Sequence, residues 1–272
     1  METLPGRPDY VHGYTLREGE RLVDQATALA AFLHSGQSFP AGARLLEAGC
    51  GVGAQTVTLA RNSPLAHITA VDISAESLAI ARQRVETAGA TNVSFEQGDI
   101  FSLAYGPGSF DHVFVCFVLE HLADPAGALA CLRSVTRPGG TITVIEGDHG
   151  STFFHPENAD ARETIRCLVE LQAAAGGDSL IGRRLFPLLV DAGLKDVRVE
   201  PKMIYVDASR PDLVEGFTRN TFAAMVEGVR DRALEAGLID GETWQRGIDG
   251  LHRAAESDGV FCYTFFKATG VN

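Results

Sequence analysis

Apolar residues recur every three to four positions between Glu18 and His34. Leu22, Ala26, Leu29, Ala30 and Leu33 share one side of a 3.6-residue period, which predicts an amphipathic helix. Gly36, Pro40 and Gly42 end it, and from Arg44 the period changes. A short apolar run at 44–47 and the segments 67–73, 92–99, 110–118 and 141–147 read as strands. Helical stretches separate them, from the glycine cluster to Ala60, at 75–88 and at 125–135, the last stopped by Arg137-Pro138-Gly139-Gly140. The run at 110–118 is almost wholly apolar, as suits a strand buried on both faces of a parallel sheet.

Strand and helix alternating at this spacing predict a doubly wound α/β sheet. The second half has a different texture. It offers a helix within 150–180, a further helix at 180–193 with Pro187 in its early turns, and a strand from Val197 to Asp207. A helix- and loop-rich stretch at 208–257 and a last strand from Gly259 complete it. The organisation expected is an N-terminal covering segment at 1–43 and a Rossmann-like domain at 44–272, with inserts at 150–180 and 208–257. Both inserts follow strands, which places them at the carboxyl edge of the sheet, where open α/β folds bind ligands. They are expected to form a helical lid, with an extension of the core or a dimer surface as the alternatives.

Composition narrows the partners. The 272 residues carry 23 Lys and Arg against 35 Asp and Glu, a formal charge of −12, which disfavours nucleic acid and anionic membrane surfaces. No apolar run is long enough to span a bilayer, and the first residues read as no signal peptide. Cys50, Cys116, Cys131, Cys167 and Cys262 stand singly, without the pairing of a zinc site or a disulfide framework. A reduced, cytoplasmic protein without a metal is expected.

The sharpest local signal is Leu45-Leu46-Glu47-Ala48-Gly49-Cys50-Gly51-Val52-Gly53-Ala54. A strand entering alternate glycines and then a helix lets backbone amides approach a ligand and aims a helix N-terminus at it. Asp72 closes the next strand 19 residues past Gly53, where a ribose-binding acid belongs, and this much fits an NAD-dependent oxidoreductase as well. Three features favour S-adenosylmethionine. Glu47 would crowd a pyrophosphate but can face a cation. Asp99 ends the third strand and is suited to an adenine amine. The fourth strand ends in an apolar floor at Phe117 and Val118, followed by the polar Glu120 and His121.

Taken together, these residues resemble the class I S-adenosylmethionine-dependent methyltransferases, in the branch of the ubiquinone and menaquinone biosynthesis enzymes. The resemblance covers 44–148, and more weakly the tail, where 197–200 and 262–268 look like the last two strands. It implies a Rossmann-like, seven-stranded, mostly parallel sheet with an antiparallel last strand and helices on both faces. It also implies that Glu47, Gly49, Cys50, Gly51 and Gly53 wrap the methionine half of the cofactor, and that Asp72 holds the ribose hydroxyls with Ile73 on the adenine. Asp99 and Ile100 fall at the adenine amine, Phe117 and Val118 beneath the methionine portion, and Tyr14 in a leader that can fold over the cofactor. The product would be S-adenosylhomocysteine.

The acceptor is less constrained. No Asn-Pro-Pro-aromatic sequence ends the fourth strand, and a sulfonium methyl needs alignment and water exclusion more than covalent help. His149 is the candidate catalytic group, taking a proton from a hydroxyl, thiol or carboxyl with Asp148 orienting it, or else capping a loop. Arg183 and Arg184 either pair with a substrate carboxylate or face water. Phe153, Phe154, Met203, Tyr205, Phe217, Phe222, Met225 and Trp244 are divided between core and a wall for a hydrophobic or aromatic small molecule. The expectation is transfer to oxygen or sulfur of a small acceptor by a monomer or homodimer. A cofactor-binding regulator without transfer is the non-enzymatic alternative.

Overall fold

A computed structural model describes Leu29, Ala30 and residues 32–272. Leu29, Ala30, Phe32 and Leu33 are helical, the end of the helix expected from Glu18; the rest of that helix, and Tyr14, lie outside the described residues.

Five parallel strands come first: β1 (Arg44–Ala48), β2 (His67–Asp72), β3 (Val93–Gln97), β4 (Phe110–Cys116) and β5 (Thr136–His155). Helices α1 (Thr56–Asn62), α2 (Ala75–Thr87) and α3 (Pro125–Val135) make the crossovers that parallel strands require. After α4 (Ala159–Ala174) and α5 (Leu185–Asp191) come β6 (Lys195–Val206), a π-helical segment (Val214–Ala223), α6 (Arg230–Glu235), α7 (Gly241–Arg253) and β7 (Val260–Val271). The sheet order is β3-β2-β1-β4-β5-β7-β6, and β7 runs antiparallel to both neighbours. The seven-stranded, mostly parallel sheet with a reversed last strand is thus as expected.

Alternation along the strands divides the interior into two cores. Leu45, Phe114 and Ile145 face one side, with Leu29, Leu33 and the helices of both inserts. Leu46, Ala48, Val113, Val115, Ile142 and Val144 face the other, against α3 and α5. Local signals set the helix starts: Ser74 accepts from the Ser77 amide, Asp124 from Gly127, Asn158 from Ala161, and Asp240 from Glu242 and Thr243.

Two boundaries differ from the sequence reading. The helix ends at Val135 as expected, but the strand starts at once with Thr136, so residues 137–140 form an irregularity within β5. Thr136 lies opposite Phe110 and Thr141 opposite His112. The chain end completes the pairing there, with the Gly139 amide donating to the Asn272 carbonyl and the Asn272 amide to that of Gly140. At its far end β5 runs past residue 150 to His155, with Phe153 opposite Cys262 and Phe154 opposite Phe261, so the helical part of the first insert starts only at Ala159.

Large side chains of the inserts are buried. Phe217, Phe222 and Trp244 are among the largest fully buried side chains, and they join Ile165, Leu168, Phe261, Tyr263 and Phe265 in the first cluster. Phe154 and Met225 are buried as well, whereas Phe153, Met203 and Tyr205 are exposed.

Candidate functional site

The expected site residues that are described converge on the carboxyl ends of β1 to β5. Gly49, Gly51 and Gly53 all have left-handed φ, at 74°, 52° and 77°. At Gly49 the need is also steric: a Cβ there would stand 2.5 Å from Cγ2 of Val118. Asp72 pins the turn, accepting from the Gly51 amide at 2.7 Å through Oδ2 and from the Ser74 amide at 2.9 Å through Oδ1. Burial raises its pKa, while these backbone donors and that of Ile73 oppose the rise.

The neighbouring strand ends add the remaining walls. Ile73 follows Asp72 with its side chain exposed at the edge. Asp99 accepts from the Phe101 amide at 3.0 Å and starts a short 3-10 turn, Ile100–Ser102, in which Ile100 is buried. Cys50 is buried, and its thiol is pushed up chiefly by desolvation, then by Glu47 and Asp72, so it is no thiolate nucleophile. Glu47 is only 3% exposed, and its Oε2 has no hydrogen-bond partner. Burial pushes its pKa up to about 8, the Thr56 hydroxyl pulls the other way, and the charge of Asp72 adds to the rise. A buried carboxyl with an unmet oxygen beside a glycine turn is suited to a cationic ligand.

Phe117 follows β4 in the left-handed region at φ 57°, rare for an aromatic residue, while its amide still donates to the Ile145 carbonyl at 2.9 Å. The next two amides are held by one carboxyl: Glu146 Oε1 accepts from Val118 at 3.1 Å and from Leu119 at 2.8 Å. Glu146 is wholly buried, its Oε2 has no hydrogen-bond partner, and desolvation together with the charge of Glu120 pushes its pKa well up. This carboxyl therefore braces the loop whose Val118 covers Gly49, a role that the sequence did not disclose.

His149 is buried, with its Nδ1 2.7 Å from the hydroxyl of Tyr263. Tyr263 packs on Phe265, with ring centroids 4.7 Å apart, and Phe265 lies 5.7 Å from Phe117, so a run of rings joins His149 to the loop after β4. Asp148 does not orient His149. It makes a bidentate pair with Arg183, at 2.6 and 2.8 Å. Arg184 likewise pairs with Asp178, so both arginines already have acidic partners. Among the described residues, no group of three His, Cys, Asp or Glu side chains is placed to hold a metal, and no helix is long and apolar enough to cross a membrane.

The sheet order and the reversed β7 are those of the class I S-adenosylmethionine-dependent methyltransferase fold. Residues 46–144 match a family described as "Methyltransferase domain". The chain is 37% identical over 213 residues to an uncharacterized 37.1 kDa transposon protein of Streptomyces fradiae, covering 77% of this chain and 58% of that one. It is 36% identical over 101 residues to a ubiquinone biosynthesis O-methyltransferase of Methylocella silvestris, 37% of this chain and 38% of that one. Among solved structures it resembles a Haemonchus contortus phosphoethanolamine N-methyltransferase 2, in complex with phosphomonomethylethanolamine and S-adenosylhomocysteine. The TM-score is 0.60 at 17% identity, over 95% of this chain and 58% of that one. The chain thus spans less than two thirds of the length of each of these proteins.

Proposed function

We propose that this protein transfers a methyl group from S-adenosylmethionine to oxygen or sulfur of a small-molecule acceptor, leaving S-adenosylhomocysteine. The observation that carries the reading is the glycine turn held by the Asp72 carboxylate, with the buried Glu47 carboxyl beneath it. Bound there, S-adenosylmethionine supplies a methyl on a sulfonium that an in-line nucleophile can displace.

The chain's own residues have separate tasks in this reading. Gly49, Cys50, Gly51 and Gly53 line the methionine half, and Glu47 meets its ammonium. Asp72 accepts from the ribose hydroxyls with Ile73 against the adenine, and Asp99 with Ile100 receives the adenine amine. Phe117 and Val118 form the floor. His149 is the polar group offered to the acceptor, and the ring cluster about it favours an apolar or aromatic body. The relative from Methylocella silvestris, named as an O-methyltransferase, supports oxygen.

The NAD-dependent alternative loses ground on topology. A reversed seventh strand placed between β5 and β6 is not the 3-2-1-4-5-6 order of dinucleotide-binding sheets. Calorimetric titration of nucleotide-free protein with S-adenosylmethionine, S-adenosylhomocysteine and NAD tests the reading. Saturable binding of the first two is expected, and NAD binding without either would overturn it. Mass spectrometry across acceptors then separates an enzyme from a regulator that binds the cofactor without transfer.

A further inference from the structure

Helix α2 backs the glycine turn, and it does so partly through a residue that the reading above leaves without a task. We propose that Arg84 is a positioning residue for the cofactor, holding the turn from behind in the shape that receives the methionine half of S-adenosylmethionine. This deepens the methyl-transfer reading and rests on it for the ligand; the hold on the turn does not.

The contact begins at Gly53. A Cβ there would stand 2.9 Å from both Cα and Cβ of Ala81, so only glycine lets the turn lie against the middle of α2. Arg84 comes three residues after Ala81, on the same face of the helix, and its Nη1 donates to the carbonyl of Val52. Asp72 supplies a second hold. One of its carboxylate oxygens accepts from the Gly51 amide and the other from the amide of Ser74, whose hydroxyl caps the start of α2. The amide of Gly51 and the carbonyl of Val52 are therefore both tied, by separate routes, to the same helix. Gly51 itself has nothing within 4 Å of where a Cβ would stand. The turn is thus packed at Gly53 and open at Gly51.

The surroundings of Arg84 fit this task. It is half-buried, and burial draws its pKa down, yet among the described residues it has no carboxylate partner. Arg82, two positions earlier, goes to β3 instead, donating to the Phe95 carbonyl with its guanidinium 5.3 Å from the centre of the Phe95 ring. Arg84 commits a charge-assisted bond to one carbonyl of the turn, and a bond of that kind restrains the peptide that accepts it.

Three left-handed glycines within five residues would leave an unheld turn many shapes, and a ligand would have to fix them on binding. A turn fixed beforehand loses less. The hold should therefore appear as affinity for the part of the ligand that lies on the turn.

Hydrogen exchange of the ligand-free protein tests the hold by itself. In Arg84→Met, which keeps the length and loses the donor, the amides of Gly51 and Gly53 should exchange about tenfold faster while those of residues 45–48 in β1 are unchanged. Arg84→Lys should restore most of the protection. A uniform rise, or no rise, overturns the proposal. Nitrogen-15 spectra of arginine-labelled wild type require no variant to fold: separate Nη signals from hindered rotation are expected, and a freely turning Arg84 guanidinium overturns the proposal as well. Calorimetry supplies the ligand arm. S-adenosylhomocysteine should bind Arg84→Met about tenfold more weakly than wild type and Arg84→Lys within about threefold, whereas methylthioadenosine, which lacks the amino-acid end, should bind all three within about threefold. Equal loss for both ligands, or loss for neither, overturns the proposal. Faster exchange at the turn in Arg84→Met, with a wild type that binds neither S-adenosylmethionine nor S-adenosylhomocysteine, overturns the methyl-transfer reading and leaves the hold on the turn standing.

Discussion

Glu47→Gln should stabilise the ligand-free protein by a margin that grows with pH. The wild-type carboxyl is buried, and its pKa is raised from 4.5 to about 8. A carboxyl whose folded pKa lies above its unfolded value binds more protons when folded, so stability falls as pH rises from the unfolded pKa to the folded one. With these two values the linkage costs about 1 kcal/mol at pH 5, about 3 kcal/mol at pH 7, and levels off near about 5 kcal/mol above pH 8. Glutamine has the same shape and no titration, so the variant lacks this slope. Asp72 is coupled to Glu47 through its charge, and it loses a repulsion in the variant, which acts in the same direction. The assay is urea unfolding of both proteins at pH 5, 7 and 8.5, compared as a difference so that linkages common to both cancel. A difference that stays flat within about 0.5 kcal/mol from pH 5 to 8.5 would refute the placement of an unmet carboxyl under the glycine turn. The same carboxyl should ionise against a bound ammonium. Titration with S-adenosylmethionine at pH 7 in buffers of different ionisation heat should therefore show proton release in the wild type and none in Glu47→Gln.

Further outcomes follow from the other contacts at this edge. Asp72→Ala removes the acceptor for the Gly51 amide and, in the proposed site, for the ribose hydroxyls, so calorimetry should show S-adenosylmethionine binding weakened by about 1.5–3 kcal/mol. Glu146→Ala leaves the Val118 and Leu119 amides without their acceptor and should cost about 1–3 kcal/mol of stability, read by denaturant unfolding. Glu146→Gln keeps a carbonyl oxygen there and should recover most of that loss; equal loss in both would sink the brace. Gly147→Ala presses a methyl on the Tyr263 hydroxyl and should lower stability by about 1–3 kcal/mol, whereas a neutral result in thermal unfolding would mean that the phenol lies elsewhere.

The core strands were legible because strand-like runs alternate with helical stretches and the glycine turn marks where the first one ends. What stayed hidden depends on partners far along the chain. The glycine pair at 139–140 reads as punctuation, yet its backbone groups are completed by Asn272, the last residue of the chain. Gly150, Ser151 and Thr152 likewise fall at the start of the expected first insert, but the Ser151 hydroxyl takes the place of a ladder partner. It bonds the Asp148 carbonyl at 2.7 Å and receives the Thr264 amide at 3.0 Å, which carries β5 across an irregularity to His155. No local pattern announces such a substitution.

At the site the same contrast separates Asp148 from His149. Adjacency along the chain suggested that the aspartate orients the histidine, as neighbouring polar residues do in a turn. These two lie in a strand, where successive side chains point to opposite faces. Asp148 accordingly meets Arg183, next to Ile181 and Leu185 of the second core, while His149 meets Tyr263 within the first. The residue that could have been read as the orienter was therefore one on a strand paired with β5. Tyr263 alternates with Phe261 and Phe265 on the core-facing side of β7, and a hydroxyl among those rings must find a partner. What the sequence withheld was the register that sets Phe265 opposite Gly147 and brings the phenol over that glycine to His149. Strand period identifies the face, but only pairing identifies the neighbour, and in this fold the pairing of β5 with β7 decides that His149 meets Tyr263.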